Sequence, residues 1–322
     1  YGKGIQSVEI PESIVTIGSH AFFNNNLTVI DIPNQLVKIG DSAFQANHLT
    51  NIEFPSSVTS IGAYAFKSNH IKKVAFTGNI TSIGDGAFND NSLTSINIPE
   101  GINELNASIF SSNKLSNVEI PSNITSIGEN AFLHNNLTSI IIGQGVKSIG
   151  NNAFQSNYLI NIDIPSGVTS IGANAFSSNQ LKSLKLSENL TTIGSRAFSQ
   201  NLLTDIIIPA NVTNIGYGAF SSNHLTSVEI PSKLRIIEGG VFNDNNLFSA
   251  AIPEGIKSIG EFAFANNQLT SIDLPSSLTT IGQGAFKYNQ LKNIEITANI
   301  AAIGEGAFTG NQLTSIAIPK SV

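Results

Sequence analysis

His48 and His70 are the two residues whose type and spacing come nearest to a metal site. They lie 22 residues apart, at the same position of two adjacent repeats, and should therefore stack near each other. Catalytic zinc sites typically use three protein ligands and structural zinc sites four. Since no third ligand recurs in the repeat, the sequence predicts two exposed loop histidines and no metal site.

Catalytic signatures are missing from the chain. There is no GxSxG nucleophile elbow, HExxH zinc helix, GxxxxGK[ST] phosphate loop or GxGxxG turn. Every recurring acidic or hydroxyl residue is explained by the repeat itself. The sequence therefore predicts a protein that is not an enzyme, with no catalytic residues and no bound cofactor.

Charge and composition exclude several partners. The formal net charge is -6 and the sequence pI is about 5.4, whereas nucleic-acid affinity rests largely on basic side chains that neutralise phosphates. No apolar run approaches the roughly 20 residues that span a bilayer. We expect no nucleic-acid partner and no direct membrane insertion. Because the chain has no Cys, thiol chemistry is also excluded.

Phenylalanine recurs every 22 residues without an insertion or deletion, which shows that the chain is built from repeats. The fold of these repeats must position any functional residue. The unit can be written LxxIxIPxxVTSIGxxAFxxNx. In residues 27–32, alternating Leu27, Ile30 and Ile32 indicate a short strand, which Pro33 ends. A Gly such as Gly62 allows a positive φ or a close backbone approach, and xxAF indicates one tight helical turn.

An asparagine follows each of these phenylalanines by three residues. A residue that does not vary among repeats is typical of a buried amide that satisfies backbone groups of adjacent coils, so we predict a structural ladder and not a ligand site. The ladder comprises Asn25, Asn47, Asn69, Asn91, Asn113, Asn135, Asn157, Asn179, Asn201, Asn223, Asn245, Asn267, Asn289 and Asn311.

One outward position of the strand is often acidic. It carries the carboxylates of Glu9, Asp31, Glu53, Glu119, Asp163, Glu229, Asp273 and Glu295. The same position holds Ala75, Asn97, Ile141, Lys185, Ile207, Ala251 and Ala317 in the other copies. This acidic register is either a solvated face that keeps a sheet soluble or a surface for a cationic partner or glycan. Calcium is a third interpretation, although the spacing does not reproduce a D-x-D-x-D loop.

The consensus tract, nearly intact in residues 120–140 and 164–184, resembles the BspA-type leucine-rich repeats of bacterial and some protozoan surface proteins. The resemblance covers the whole chain, although members of that family typically have Cys where this chain has the asparagine column. It implies a secreted or cell-surface protein that takes part in adhesion.

Since one unit cannot bury its own apolar residues, the units must stack. We therefore predict a leucine-rich-repeat solenoid of the α/β repeat class, with about 14 coils of 22 residues. One face would be a long parallel sheet, and the other would hold turns and short 3-10 or helical segments. We expect a single domain over residues 1–322 without obvious caps, which makes it a fragment of a longer protein.

The function predicted on these grounds is a non-catalytic binding module, located outside the cell or on its surface. Its sheet face would adhere to a host or environmental protein or glycan. The alternative is a structural spacer, stalk or end-to-end filament subunit, in which terminal coils self-associate and the sheet face binds nothing.

Overall fold

A computed structural model describes residues 2–297 and 299–322 of the chain. The chain divides into two compact units, unit 1 (Tyr1–Leu159) and unit 2 (Ile160–Val322). Each unit is a parallel β-solenoid built from 22-residue coils, which confirms the predicted solenoid class.

Burial of the repeated apolar residues explains the coil. In one coil of unit 1, Leu49, Phe54, Val58 and Phe66 are each fully buried, and Ile52 is 3% exposed. The strands of unit 1 are β1 (Thr16–Ile17), β2 (Lys38–Ile39), β3 (Asn51–Phe54), β4 (Ser60–Ile61), β5 (Lys73–Phe76), β6 (Ser82–Ile83), β7 (Glu104–Leu105), β8 (Asn117–Ile120), β9 (Ser126–Ile127), β10 (Ser139–Ile142) and β11 (Ser148–Ile149).

Unit 2 repeats this arrangement with the same spacing. Its strands are β12 (Asn161–Asp163), β13 (Ser170–Ile171), β14 (Ser183–Lys185), β15 (Thr192–Ile193), β16 (Asn214–Ile215), β17 (Ser227–Glu229), β18 (Ile236–Ile237), β19 (Ser249–Ala251), β20 (Ser258–Ile259), β21 (Thr280–Ile281) and β22 (Ala302–Ile303).

Two-residue strands, most of them directly before the repeated glycine, form ladders that the repeat pattern did not predict. In unit 1 the ladders run β1-β2-β4-β6 and β7-β9-β11, and in unit 2 they run β13-β15-β16 and β18-β20-β21-β22. Every one of these strands except β22 buries its second residue, such as Ile61, whereas the residue before it is exposed or half-exposed. All of these pairings are parallel.

The strands of the acidic register form short ladders in place of one continuous sheet. Among the described residues, β3 pairs with β5 and β8 with β10 in unit 1, and β12 pairs with β14 and β17 with β19 in unit 2. β3 pairs on the side where Glu53 faces Ala75, and residues 29–32, which carry Asp31, form no strand. Repulsion between like charges does not by itself set this pattern, because residues 95–98, around the uncharged Asn97, form no strand either.

The predicted helical turn at xxAF is not confirmed. Residues 2–297 and 299–322 contain no helix, because the residue before each Ala-Phe pair has a left-handed backbone, with φ of 53° at Ser42 and 56° at Tyr64. A left-handed residue interrupts a right-handed helix. The backbone donors bond to the next coil instead: Ser42 N–H donates to the carbonyl of Ala63 and Phe44 N–H to that of Ala65, both at 2.8 Å.

Close contact between coils explains the phenylalanines and one glycine. Neighbouring rings stack with centroids 5.2–6.0 Å apart from Phe22 to Phe154 in unit 1, and 5.4–5.9 Å apart from Phe176 to Phe308 in unit 2. A Cβ on Gly62 would lie 2.6 Å from the backbone carbonyl carbon of Gly40. Of the two predicted roles for this glycine, the structure shows the close approach, since its φ is not positive.

Candidate binding face

The asparagine column lies inside the fold, and Asn135 illustrates its bonding. Its side chain is 3% exposed. Its Oδ1 accepts the N–H of Leu115 at 3.1 Å, and its Nδ2 donates to the carbonyls of Phe110 at 2.9 Å and Phe132 at 3.2 Å. The same bonds recur in other coils, so these amides are engaged by the backbone of two adjacent coils. This engagement supports the structural role that we predicted for them.

All eight carboxylates of the acidic register are exposed. In β3 and β8 the exposure alternates strictly, so that Glu53 and Glu119 point outward while their neighbours in the strand are buried. Unit 1 places Glu9, Asp31, Glu53 and Glu119 on this face, and unit 2 places Asp163, Glu229, Asp273 and Glu295 on it. Strand alternation holds Glu53 and Glu119 of unit 1 and Asp163 and Glu229 of unit 2 in solvent, whereas Glu9, Asp31, Asp273 and Glu295 are exposed in tracts that form no strand.

Strand pairing sets the electrostatics of this face. In unit 1, Glu53 faces Ala75 and Glu119 faces Ile141 across the ladder. In unit 2, Asp163 faces Lys185, the one paired position with an opposite charge in the four described ladders, and Glu229 faces Ala251. Three of these four carboxylates thus have no charged neighbour at the directly paired position. They remain available to a cationic group from another molecule.

Open depressions on the same face were missed by the sequence analysis. One of about 670 Å³ in unit 2 is lined by residues that include Ser227, Glu229, Ser249, Ala251 and Asp273. It lies where the tract LFSAAIP replaces the consensus LTSIxIP, and Ala250 stands at the inward position that every other copy fills with Val, Ile or Leu. This loss of side-chain volume is the feature of the sequence from which the depression could have been predicted.

A second depression, of about 490 Å³, lies on this face of unit 1. Its lining includes Ser95, Asn97, Asn117, Glu119 and Ser139. Hydroxyls and amides therefore surround a carboxylate, an arrangement that offers both donors and acceptors to a polar ligand.

His48 and His70 lie side by side, as their shared position in the repeat predicted. Their rings stack with centroids 5.3 Å apart and an interplanar angle of 18°, and Nδ1 of His48 lies 3.3 Å from Nε2 of His70. Both side chains are exposed. In the described part of the chain, no group of three or more His, Cys, Asp or Glu side chains is arranged to hold a metal ion.

Glu254 has a different role from the acidic register. Its carboxylate accepts the N–H of Ser276 at 2.9 Å and the N–H of Ser277 at 3.2 Å, both in the turn of the next coil. These hydrogen bonds, with the Ser276 N–H the strongest influence, hold the pKa of Glu254 below its ordinary value of 4.5. The ionised side chain therefore joins two adjacent coils.

Over residues 2–297 and 299–322, no helix has the length and apolar character needed to cross a bilayer.

Three solved structures of bacterial proteins illustrate the similarity of fold. A leucine rich cell surface protein from Faecalibacterium prausnitzii is 27% identical, with a TM-score of 0.55 over 96% of this chain and 83% of that chain. Leucine-rich repeat proteins from Bacteroides ovatus (24% identical, TM-score 0.56, covering 96% and 88%) and Eubacterium ventriosum (22%, 0.57, 92% and 85%) share the fold. No protein with a curated function matches the chain.

The repeat itself identifies the family. The BspA type leucine rich repeat region matches residues 1–115, 104–226 and 213–322, and so covers the whole chain. Family and structural relatives indicate a surface or protein-binding repeat protein. This chain belongs to the BspA-type leucine-rich-repeat family.

Proposed function

We propose that this protein is a non-catalytic binding module, secreted or held on a cell surface, that adheres to a cationic protein or glycan through its acidic register. The observation that carries the proposal is the exposure of all eight carboxylates at one position of the repeat. A fold that needs only a solvated face has no requirement for charges of one sign, because mixed charges serve solubility equally well.

Affinity would come from many weak contacts. Each exposed carboxylate contributes little on its own, since solvent screens it. Repetition along the coils lets one extended partner engage several carboxylates at once, so that later contacts form at a high effective concentration. The excess of carboxylates over the single Lys185 in this register also steers a cationic partner and raises the association rate.

The depressions supply the specificity that charge alone lacks. In unit 1 the serine and asparagine side chains around Glu119 offer hydrogen bonds to sugar hydroxyls or to a peptide backbone. In unit 2 the alanine floor between Glu229 and Asp273 gives room for a side chain of the partner. The cell-surface relative from F. prausnitzii supports an extracellular or surface location.

The test is binding to an array of extracellular-matrix proteins and glycans with two variants of equal charge. The face variant carries Glu9→Gln, Asp31→Asn, Glu53→Gln, Glu119→Gln and Asp163→Asn. The control variant neutralises exposed carboxylates outside the register, through Glu129→Gln, Glu188→Gln, Glu238→Gln, Glu261→Gln and Glu305→Gln. Because each variant loses five charges, both change the formal net charge from -6 to -1.

Retention of a component by the wild type and the control variant, with loss in the face variant, supports the proposal. Equal loss in both variants would show that net charge alone governs binding, and would contradict it. If the wild-type chain retains nothing, the spacer, stalk or filament alternative becomes the better account.

A further inference from the structure

The stacked pair of histidines is fixed by the fold beneath it. His48 N–H donates to the carbonyl of Leu27 at 2.8 Å, and His70 N–H donates to that of Leu49 at 2.9 Å. Each histidine also follows a buried asparagine of the ladder, Asn47 or Asn69. The two backbones are therefore held in register, and only side-chain rotamers remain to be ordered on binding a ligand.

The separation of the two ring nitrogens matches that of two ligands of one zinc ion. Nδ1 of His48 and Nε2 of His70 lie 3.3 Å apart, within reach of a long N–H···N hydrogen bond in the suitable tautomer, which a bound zinc ion would replace. A tetrahedral Zn²⁺ bound by two nitrogens at about 2.0–2.1 Å, with an angle of about 109° between the bonds, separates them by about 3.3 Å. The pair thus has the spacing that one zinc ion requires.

We infer that His48 and His70 form a two-nitrogen binding site for Zn²⁺. Neutral imidazole is a preferred ligand of zinc, and both side chains are exposed, so the ion can enter from solvent and keep water at its two remaining positions. The repeat supplies no third ligand, but its backbone places the two imidazoles at neighbouring positions, where their rotamers bring the two ring nitrogens 3.3 Å apart. This site is independent of the acidic register and of the proposed adhesive function.

Zinc titration of the tag-free full-length chain by calorimetry near neutral pH tests the inference. His48→Asn and His70→Asn each leave one imidazole, and should weaken the binding at least about tenfold because the second contact is no longer intramolecular. Asparagine already occupies this position of the repeat at Asn26, Asn136 and Asn246, so both variants should fold.

His224 provides the matched control. It occupies the same position of its repeat but has Leu202 and Asn246 at that position in the neighbouring coils. His224→Asn should leave the zinc affinity unchanged. Conversely, Asn246→His places a second imidazole beside His224 and should create one additional zinc site.

The inference is supported if both single variants lose affinity, the His224 control does not, and the Asn246 substitution adds a site. It is overturned if His48→Asn or His70→Asn binds Zn²⁺ as tightly as the wild type, or if the His224 control loses affinity to the same extent.

Discussion

Replacing Asn135 with alanine removes one rung of the asparagine ladder and tests its structural role. The wild-type amide accepts from Leu115 N–H and donates to the carbonyls of Phe110 and Phe132. The cost of the substitution depends on which of these three backbone groups finds another partner.

Only the donor is left without a partner. The carbonyl of Phe110 still accepts from Asn113 Nδ2 at 3.2 Å, and that of Phe132 still accepts from Asn157 Nδ2 at 2.9 Å. Leaving the buried Leu115 N–H unpaired costs about 1–3 kcal/mol, and losing two hydrogen bonds whose acceptors stay satisfied adds about 0.5 kcal/mol each. Asn135→Ala should therefore cost about 2–4 kcal/mol.

Native-state hydrogen exchange at the Leu137 amide is the suitable assay, because a repeat array does not unfold as a single two-state unit. That amide donates to Asn157 Oδ1 at 3.0 Å, a bond that the substitution leaves intact, so its exchange reports the stability of the coil. The expected cost corresponds to a rise of roughly 30- to 700-fold in its opening constant. Asn136→Ala is the control, since Asn136 is adjacent in sequence and exposed. Equal exchange at Leu137 in the two variants would refute the ladder as a stabilising element.

Three further predictions follow from the packing and the hydrogen bonds. Phe132→Ala should cost about 3–5 kcal/mol by native-state hydrogen exchange of the amides in the adjoining coils, and Phe248→Ala should cost much less because that ring is 56% exposed. Gly62→Ala should destabilise the fold by about 1–3 kcal/mol, because the added Cβ would clash with the preceding coil. Gly18→Ala is the control: nothing lies within 4 Å of its added Cβ, so this substitution should be neutral or stabilising by about 0.4–1 kcal/mol. Ionised Glu254 stabilises the fold at pH values above its ordinary pKa of 4.5, and this stabilisation is lost as the pH falls through the lowered pKa of the folded state. The difference in Tm between the wild type and Glu254→Gln should therefore shrink on acidification.

The stacking of the coils could be predicted because it follows from residue types. A phenylalanine every 22 residues, with Leu27, Ile30 and Ile32 before it, leaves apolar surface that only another coil can cover. The alternation of β3 likewise predicted that Glu53 would be exposed. Side-chain alternation and burial are properties of local sequence, and therefore visible in it.

The backbone conformation was harder to predict from the sequence. The xxAF segment looked helical because neither Ser42 nor Tyr64 is a residue type that indicates a left-handed backbone. That conformation is fixed by hydrogen bonds to the next coil. Two-residue strands such as Ser60–Ile61 are too short to give a periodic signal. The depressions on the face depend on distances between coils, and the spacing of His48 and His70 depends on rotamers.

Carboxylate footprinting of the bound protein tests the central claim most directly. The wild-type chain, alone and with a partner retained from the array, would be labelled with a carbodiimide and read by mass spectrometry. The account predicts that Glu53, Glu119 and Glu229 are labelled less in the complex, while Glu129 and Glu188, outside the register, are labelled equally in both states. Protection of Glu129 and Glu188 with unchanged labelling of the register would contradict the claim that the acidic face is the binding surface.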